Sequence, residues 1–128
     1  MHKEISITNT TKGKLMSLPF ASIVVDVLGK KYYISIVICG NALSRRLNRT
    51  YRRKDEPTNV LSFPYSKSSG EIFLNMPLIK SEARSSKLSA RSHLVYLLIH
   101  GLLHLKGMQH GSRMEKEEMK FLRKFNFF

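Results

Sequence analysis

The chain has 128 residues, 42% of them hydrophobic and 24% charged, and its 22 lysines and arginines against 9 aspartates and glutamates give a formal net charge of +13. This length suits one compact domain over residues 1–128 and is too short for two, and the composition excludes a disordered or low-complexity chain. Cys39 is the only cysteine, which excludes an intramolecular disulfide and a four-cysteine zinc knuckle, so we expect a protein of the reducing cytoplasm.

The first third of the chain predicts two strands with a helix between them. Alternating or β-branched apolar residues favour strands at Glu4–Thr8 and Lys31–Cys39. The apolar stretch Pro19–Leu28 is too short to cross a bilayer and contains Asp26. It therefore predicts a core helix, and we expect no association with a membrane.

A second helix is predicted after Gly40. Asn41 is placed to cap its N-terminus, because a short amide side chain can accept a bond from the first free backbone N–H groups. Leu43, Leu47 and Tyr51 recur four residues apart, which is typical of the apolar face of a helix.

Basic residues crowd the same helix and the segment after it. They are Arg45, Arg46, Arg49, Arg52, Arg53 and Lys54. Guanidinium groups match phosphate geometry, so this cluster favours a nucleic-acid partner, although a basic surface also serves solubility alone. Helical phase places Arg45, Arg49 and Arg52 on the solvent side. Arg52 lies near the expected helix end, where this phase argument lapses, and there it could turn towards a cleft.

The middle of the chain predicts two more strands. Val60–Phe63 is a compact strand candidate that Pro64 bounds, and a loop over Tyr65–Gly70 follows it. Glu71–Met76 reads as the next strand. Pro77 and the polar stretch after it then favour a helix and a short connection.

Two helices are predicted in the last third. Apolar residues occupy every side of Ala90–Leu105, as expected of a buried helix. Ser112 and Glu115 form a capping-box pair that announces the last helix. Its core residues should be Met114, Phe121, Leu122 and Phe125. The element order predicts a single-domain α+β fold, with a mixed sheet of about four strands flanked by helices and a buried histidine-bearing helix.

Three histidines in the run 100–110 predict a metal site. The spacing puts His100 and His104 on one helical face, and Gly107 ends the helix so that the chain can bring His110 back to the same ion. A lone histidine in a buried helix is more often a core residue, but a shared metal relieves the desolvation cost of two imidazoles one turn apart. Three protein ligands with one open position hold a reactive water, whereas structural zinc usually has four ligands. Catalysis by a bound metal is therefore the leading hypothesis.

Two neighbours of these histidines limit the chemistry. Zinc peptidases place a glutamate general base directly after the first histidine, and Gly101 occupies that position here. Phosphodiester hydrolysis tolerates this better, because an arginine can neutralise the charge of the transition state. Glycine within a helix costs roughly 1 kcal/mol relative to alanine, so Gly101 predicts a close approach by another backbone or by substrate. His93, one heptad before His100, should support the site or be structural.

Two segments carry a family resemblance. They are 47–64, LNRTYRRKDEPTNVLSFP, and 100–110, HGLLHLKGMQH, the latter close to the family form HGxLHLxGxDH. By these segments the chain resembles the YbeY family of bacterial rRNA maturation factors, which are metal-dependent, single-strand-specific endoribonucleases. The resemblance implies a zinc-dependent hydrolase that acts on single-stranded RNA, with rRNA and the ribosome as partners, in maturation of the 16S 3′ end and in ribosome quality control.

The resemblance also implies site residues. One zinc ion per chain would be bound by His100, His104 and His110, and Arg52 would be the catalytic arginine in the cleft. Gln109 stands where the family usually has an aspartate, which removes a charge next to the third histidine, and Glu71 replaces another aspartate with its charge kept.

Two other functions stay open from the sequence. A non-enzymatic RNA-binding ribosome-assembly factor would use a structural zinc, and a fourth protein ligand would favour that alternative. A zinc hydrolase of small molecules or peptides is disfavoured by the absent glutamate and by the net charge of +13.

Overall fold

Four strands and five helices make up residues 5–127, the part of the chain that this computed structural model describes. They are β1 (Ile5–Asn9), α1 (Phe20–Leu28), β2 (Tyr33–Cys39), α2 (Asn41–Arg52), β3 (Val60–Ser66), β4 (Ser69–Asn75), α3 (Met76–Ser85), α4 (Ala90–Leu105) and α5 (Ser112–Lys124). The predicted single-domain α+β fold with a histidine-bearing helix is confirmed. The predicted start of the first strand, Glu4, lies outside the described residues.

The strands form one mixed sheet in the order β1-β2-β4-β3. β1, β2 and β4 are parallel, so Ile36 of β2 stands between Ile7 of β1 and Ile72 of β4, and the helices provide the crossover connections that parallel pairs need. β3 pairs antiparallel with β4 alone and is an edge strand. The predicted mixed sheet is therefore confirmed.

The end of β3 differs from the prediction. The strand continues through Pro64 to Ser66, and only residues 67 and 68 form the turn to β4, so the predicted loop Tyr65–Gly70 is wrong. Proline is tolerated here because an edge strand leaves one row of backbone groups unpaired, and the register shifts between Pro64 and Ser66.

Helix α4 fills the core on one face of the sheet, while α2 covers the other face. Ser62 of β3 contacts Gly101 in α4, whereas the next residue, Phe63, packs edge-on against Tyr51 in α2 with ring centroids 5.2 Å apart. Successive side chains of a strand point to opposite faces, so the two helices lie on opposite sides of the sheet. Side chains of α4 such as Leu98 are fully buried, as predicted.

Gly101 is the closest point between α4 and the sheet. A Cβ atom at this position would lie 2.9 Å from Ser62 Oγ and 3.2 Å from side-chain atoms of Val60 and Ile72. The Ser62 hydroxyl also donates a 3.0 Å hydrogen bond to the Gly101 carbonyl. The predicted close approach exists, but side chains of the sheet make it, not a backbone or substrate. This position has no room for the glutamate of a zinc peptidase.

We expect Gly101→Ala to destabilise the fold by about 1–2 kcal/mol. Crowding against the sheet and loss of the Ser62 bond outweigh the roughly 1 kcal/mol that alanine gains in helix propensity. Urea unfolding of the variant measures this. Gly13→Ala is the matched control, because a Cβ there meets nothing within 4 Å. Equal stability of the two variants would contradict the packing described here.

Both predicted N-caps are wrong. Gly40 precedes the first residue of α2, and the Asn41 side chain instead accepts a 2.8 Å bond from the Asn75 amide. Helix α5 begins at Ser112 after Gly111, with no side-chain cap bond. Gly111 has a φ of 155°, a conformation that glycine adopts readily, and its backbone geometry sets the start of the helix.

The fully buried residues of α2 are polar, whereas Leu43 and Leu47 of the predicted apolar face are half-buried. Ser44 and Asn48 are these buried residues, while Tyr51 is 66% exposed. The Ser44 hydroxyl bonds both backbone groups of Thr58, and the Asn48 amide donates to the Glu56 carbonyl. These bonds hold the segment between α2 and β3 against the helix, and they satisfy two buried polar side chains next to the half-buried apolar ones.

Candidate metal centre

The three predicted histidines come together at the end of α4. His100 and His104 lie one helical turn apart, and their Nε2 atoms are 3.1 Å apart. Gly107, with a φ of 102°, turns the chain back, and the ring of His110 lies 5.0 Å and 4.7 Å from the other two rings between centroids. One ligand atom from each histidine falls within a group whose members are at most 4.8 Å apart.

The outer nitrogens of two rings are already engaged. His104 Nδ1 lies 3.0 Å from the Met108 carbonyl, and His100 Nδ1 lies 2.5 Å from the Glu118 carboxylate. Each acceptor favours a proton on Nδ1, which leaves the lone pair of a neutral ring on Nε2. Two facing lone pairs repel each other unless a cation lies between them. Two ligands of one tetrahedral zinc ion are about 3.3 Å apart, so the donor set fits such an ion.

The local electrostatics keep His104 in the form that binds metals. Burial lowers the pKa of His104, and His100, His110 and Arg52 lower it further, while the bond to the Met108 carbonyl acts in the opposite direction. The imidazole is therefore neutral near pH 7, and a neutral imidazole is the metal ligand.

Arg52 lies close enough to this centre for its charge to act on His104. It is the last residue of α2 and follows Ser44 and Asn48 in steps of four, so it continues the helix face that holds the segment before β3. The residue is exposed. An Arg52 side chain turned towards the cleft stays a prediction.

The remaining arginines of the cluster divide into two groups. Arg45 forms a two-pronged ion pair with Asp55, and Arg49 lies 3.7 Å from the same carboxylate. Within residues 5–127, Arg46 and Arg53 have no ion pair. The basic cluster therefore partly stabilises its own loop and partly presents free charge to solvent.

Glu118 is a site residue that the sequence analysis missed. It projects from α5, is only 5% exposed, and holds the ring of His100 through the bond to Nδ1. The available signal was its phase, because Glu118 falls between Met114 and Leu122 on the apolar stripe of an otherwise charged helix. A buried carboxylate needs a partner, and the histidine supplies it.

We expect Glu118→Gln to weaken zinc binding by about 10–100-fold, because the amide neither fixes the ring nor increases its basicity as a carboxylate does. Competition with a chromophoric zinc chelator measures the affinity. Glu117→Gln is the matched control, since Glu117 pairs with Lys120 away from the histidines. Unchanged affinity in Glu118→Gln would remove this positioning role.

Three other residues that the sequence analysis singled out lie outside the ligand group. His93 Nε2 lies 2.9 Å from Glu82, so it joins α4 to α3 rather than contacting the three histidines. Gln109 is exposed. Glu71 accepts bonds from Tyr65 and Ser35 on the sheet. Its bond to Tyr65, together with burial and the charge of Glu71, raises the pKa of Tyr65 to about 12.

No helix within residues 5–127 has both the length and the apolar character required to cross a membrane.

The structure is an α+β fold that brings together three histidines able to hold a metal ion. The family model described as Endoribonuclease YbeY matches residues 3–126, and the chain belongs to this family of RNA-cleaving hydrolases. The family resemblance predicted from the sequence is thereby confirmed.

Two relatives agree with this assignment, and one solved structure shares the fold. A protein named Endoribonuclease YbeY from Ehrlichia ruminantium (strain Gardel) is 37% identical, over 94% of this chain and 79% of its own length. The protein of the same name from Ehrlichia chaffeensis is 34% identical, over 92% and 80%. The solution structure of TM1509 from Thermotoga maritima shares the fold, with a TM-score of 0.71, 23% identity and coverage of 94% of this chain and 88% of that chain.

Proposed function

We propose that this chain is a zinc-dependent endoribonuclease that cleaves single-stranded RNA in the cytoplasm, in maturation of the 16S rRNA 3′ end and ribosome quality control. The whole of 1–128 forms the catalytic domain. The observation that carries the proposal is the pair of facing Nε2 atoms on His100 and His104, which His110 completes as a three-nitrogen set next to Arg52. Membership of the endoribonuclease family supports RNA as the substrate.

One zinc ion per chain suits the three imidazoles His100, His104 and His110. When bound with a position open to solvent, zinc supplies a Lewis acid and lowers the pKa of a water to about 7. Within residues 5–127, no cysteine, aspartate, glutamate or further histidine joins these three as a fourth ligand. An open position favours the enzyme over a scaffold with a structural zinc.

The chain's own residues divide the remaining work. Glu118 and the Met108 carbonyl orient the two helical imidazoles, so their reactive nitrogens are fixed before RNA arrives. Arg52 binds the scissile phosphate and neutralises the charge that develops on its oxygens. Arg46, Arg53 and Lys54 provide exposed charge for the flanking phosphates of rRNA and the ribosome.

The peptide-hydrolase alternative fits the structure less well. The position after His100 is pressed against the sheet, so a general base cannot be placed there as in zinc peptidases. RNA hydrolysis, with Arg52 beside the metal ligands, requires no such glutamate.

Cleavage of labelled RNA tests the proposed function. Zinc-loaded protein should cut a single-stranded transcript of the 16S 3′ end, and a chelator should stop the reaction until zinc is returned. The same sequence in a duplex should resist, because A-form geometry holds the backbone away from the metal. Absence of cleavage by zinc-loaded, nuclease-free protein would contradict the proposal and favour the scaffold.

RNA affinity should fall steeply with salt and survive removal of the metal. Each phosphate contacted releases counterions, and several contacts reduce affinity by about 10³ or more between 50 and 200 mM salt. Fluorescence anisotropy of a labelled oligonucleotide in chelator measures this. An affinity that does not change with salt would show that the basic surface serves solubility alone.

A further inference from the structure

A cavity of about 360 Å³ opens beside the histidine cluster and shares His100 with it. The start of β3, the end of α3 and the outer side of α4 form its walls. Because the cavity adjoins the proposed cleavage site directly, part of an RNA strand held at that site would lie next to it.

One wall of the cavity is a row of rings on α4. The rings of His93 and Tyr96 are nearly parallel, with an angle of 13° and centroids 6.2 Å apart, and Tyr96 and His100 follow at 6.0 Å. The row leads along the helix from the cavity to the metal ligands. Flat rings of this kind offer a surface on which a planar base can stack.

The opposite wall presents hydrogen-bond acceptors. Glu82 accepts bonds at Oε1 from His93 (2.9 Å) and from the Asn59 amide (3.1 Å), while Oε2 has only a long contact of 3.4 Å to the same amide. The Glu82 side chain is 37% exposed. The Asn59 side-chain N–H group donates to the Glu82 carboxylate, so Oδ1 of Asn59 remains an acceptor. Within residues 5–127 this oxygen accepts no hydrogen bond.

The charges along α4 give a direction to any bound strand. Arg52 acts at His104, one turn beyond His100, whereas Glu82 lies on the other side of His100, at the level of His93. A phosphate is repelled by the carboxylate and attracted by the guanidinium. The cavity presents hydrogen-bond acceptors, and its carboxylate repels anions. It therefore suits a neutral group that donates hydrogen bonds.

We propose that this cavity binds the base of a nucleotide next to the scissile phosphate and prefers a base with an exocyclic amino group. The proposal rests on the endoribonuclease function proposed above. The amino group of adenine, cytosine or guanine can donate to Glu82 Oε2 and Asn59 Oδ1, and the ring can stack on Tyr96. Uracil has no amino group and loses these bonds.

Two oligonucleotides that differ by one amino group test the proposal. A short oligouridylate carries either a single adenine or, at the same position, unsubstituted purine. For the zinc-loaded wild type, kcat/KM for cleavage beside the modified base should be about tenfold higher with adenine, as expected for a hydrogen bond to a charged acceptor. In chelator, the affinity measured by anisotropy should differ in the same direction. This comparison needs no variant, so it stands even where a substitution disturbs folding.

Glu82→Gln locates the effect. It should reduce the adenine-to-purine ratio to near one, whereas Glu117→Gln, which removes the same charge from α5, should keep the wild-type ratio. A ratio near one in the wild type, or a full ratio in a folded Glu82→Gln, would overturn the subsite and leave only a structural clip between α3 and α4. Cleavage without base preference would thus reject the subsite alone, and base-selective binding without zinc-dependent cleavage would reject the proposed function alone.

Discussion

His104→Ala should abolish stoichiometric zinc binding and, with it, RNA cleavage. His104 contributes one of the two facing Nε2 atoms, and its Nδ1 is already held by the Met108 carbonyl. Loss of a ligand should cost more than the roughly 100-fold that loss of a supporting residue costs. We expect the same direction for His100→Ala and His110→Ala. Metal analysis of the purified variants, followed by cleavage assays at matched protein concentration, measures both effects.

His93→Ala is the matched control for these variants. It removes an imidazole from the same helix, but one that bonds Glu82 and lies outside the ligand group. It should retain one zinc ion per chain. Full zinc occupancy in any of the three ligand variants would disprove the proposed metal centre.

Arg52→Ala should reduce cleavage by about 10²–10³-fold while zinc content and most RNA affinity remain. In the proposed mechanism the guanidinium acts where charge develops on the phosphate, and only an interaction stronger in the transition state than in the bound state accelerates the reaction. Arg52→Lys should recover little activity, because a point charge replaces a planar fork that grips two oxygens. Single-turnover cleavage and anisotropy separate the two effects.

Arg46→Ala is the corresponding control. Arg46 lies on the same helix, is exposed and, within residues 5–127, has no ion pair, so its loss should weaken RNA binding slightly at low salt and leave the cleavage step unchanged. Equal cleavage by the Arg52→Ala and wild-type proteins would place the activity in another site or in a contaminating nuclease.

The parts of the fold that follow from local patterns were predictable. Apolar residues on every side of Ala90–Leu105 predicted a buried helix, and the structure has a helix with the same bounds. The histidine spacing predicted the cluster that the structure contains. Both depend on residues within a few turns of one helix, where sequence distance and spatial distance agree.

The parts that failed depend on partners distant in the sequence. Nothing near Ser44 and Asn48 shows that their side chains bond residues Thr58 and Glu56, so apolar periodicity missed the two fully buried residues of α2. The role of Glu118 likewise depends on a histidine 18 residues earlier. Hydrogen bonds between elements leave no periodic signal, whereas apolar burial does.

The bond between His100 and Glu118 makes the last helix part of the proposed metal centre, although no described residue of α5 belongs to the ligand group. If the docked α5 increases metal affinity, then a bound metal must stabilise the docking of α5 by the same free energy, because linkage between two equilibria is reciprocal. Local opening of the C-terminal helix should therefore weaken metal binding, and a bound metal should suppress that opening. The coupling free energy between the docking of α5 and metal binding has the same value whether it is measured at the helix or at the three histidines.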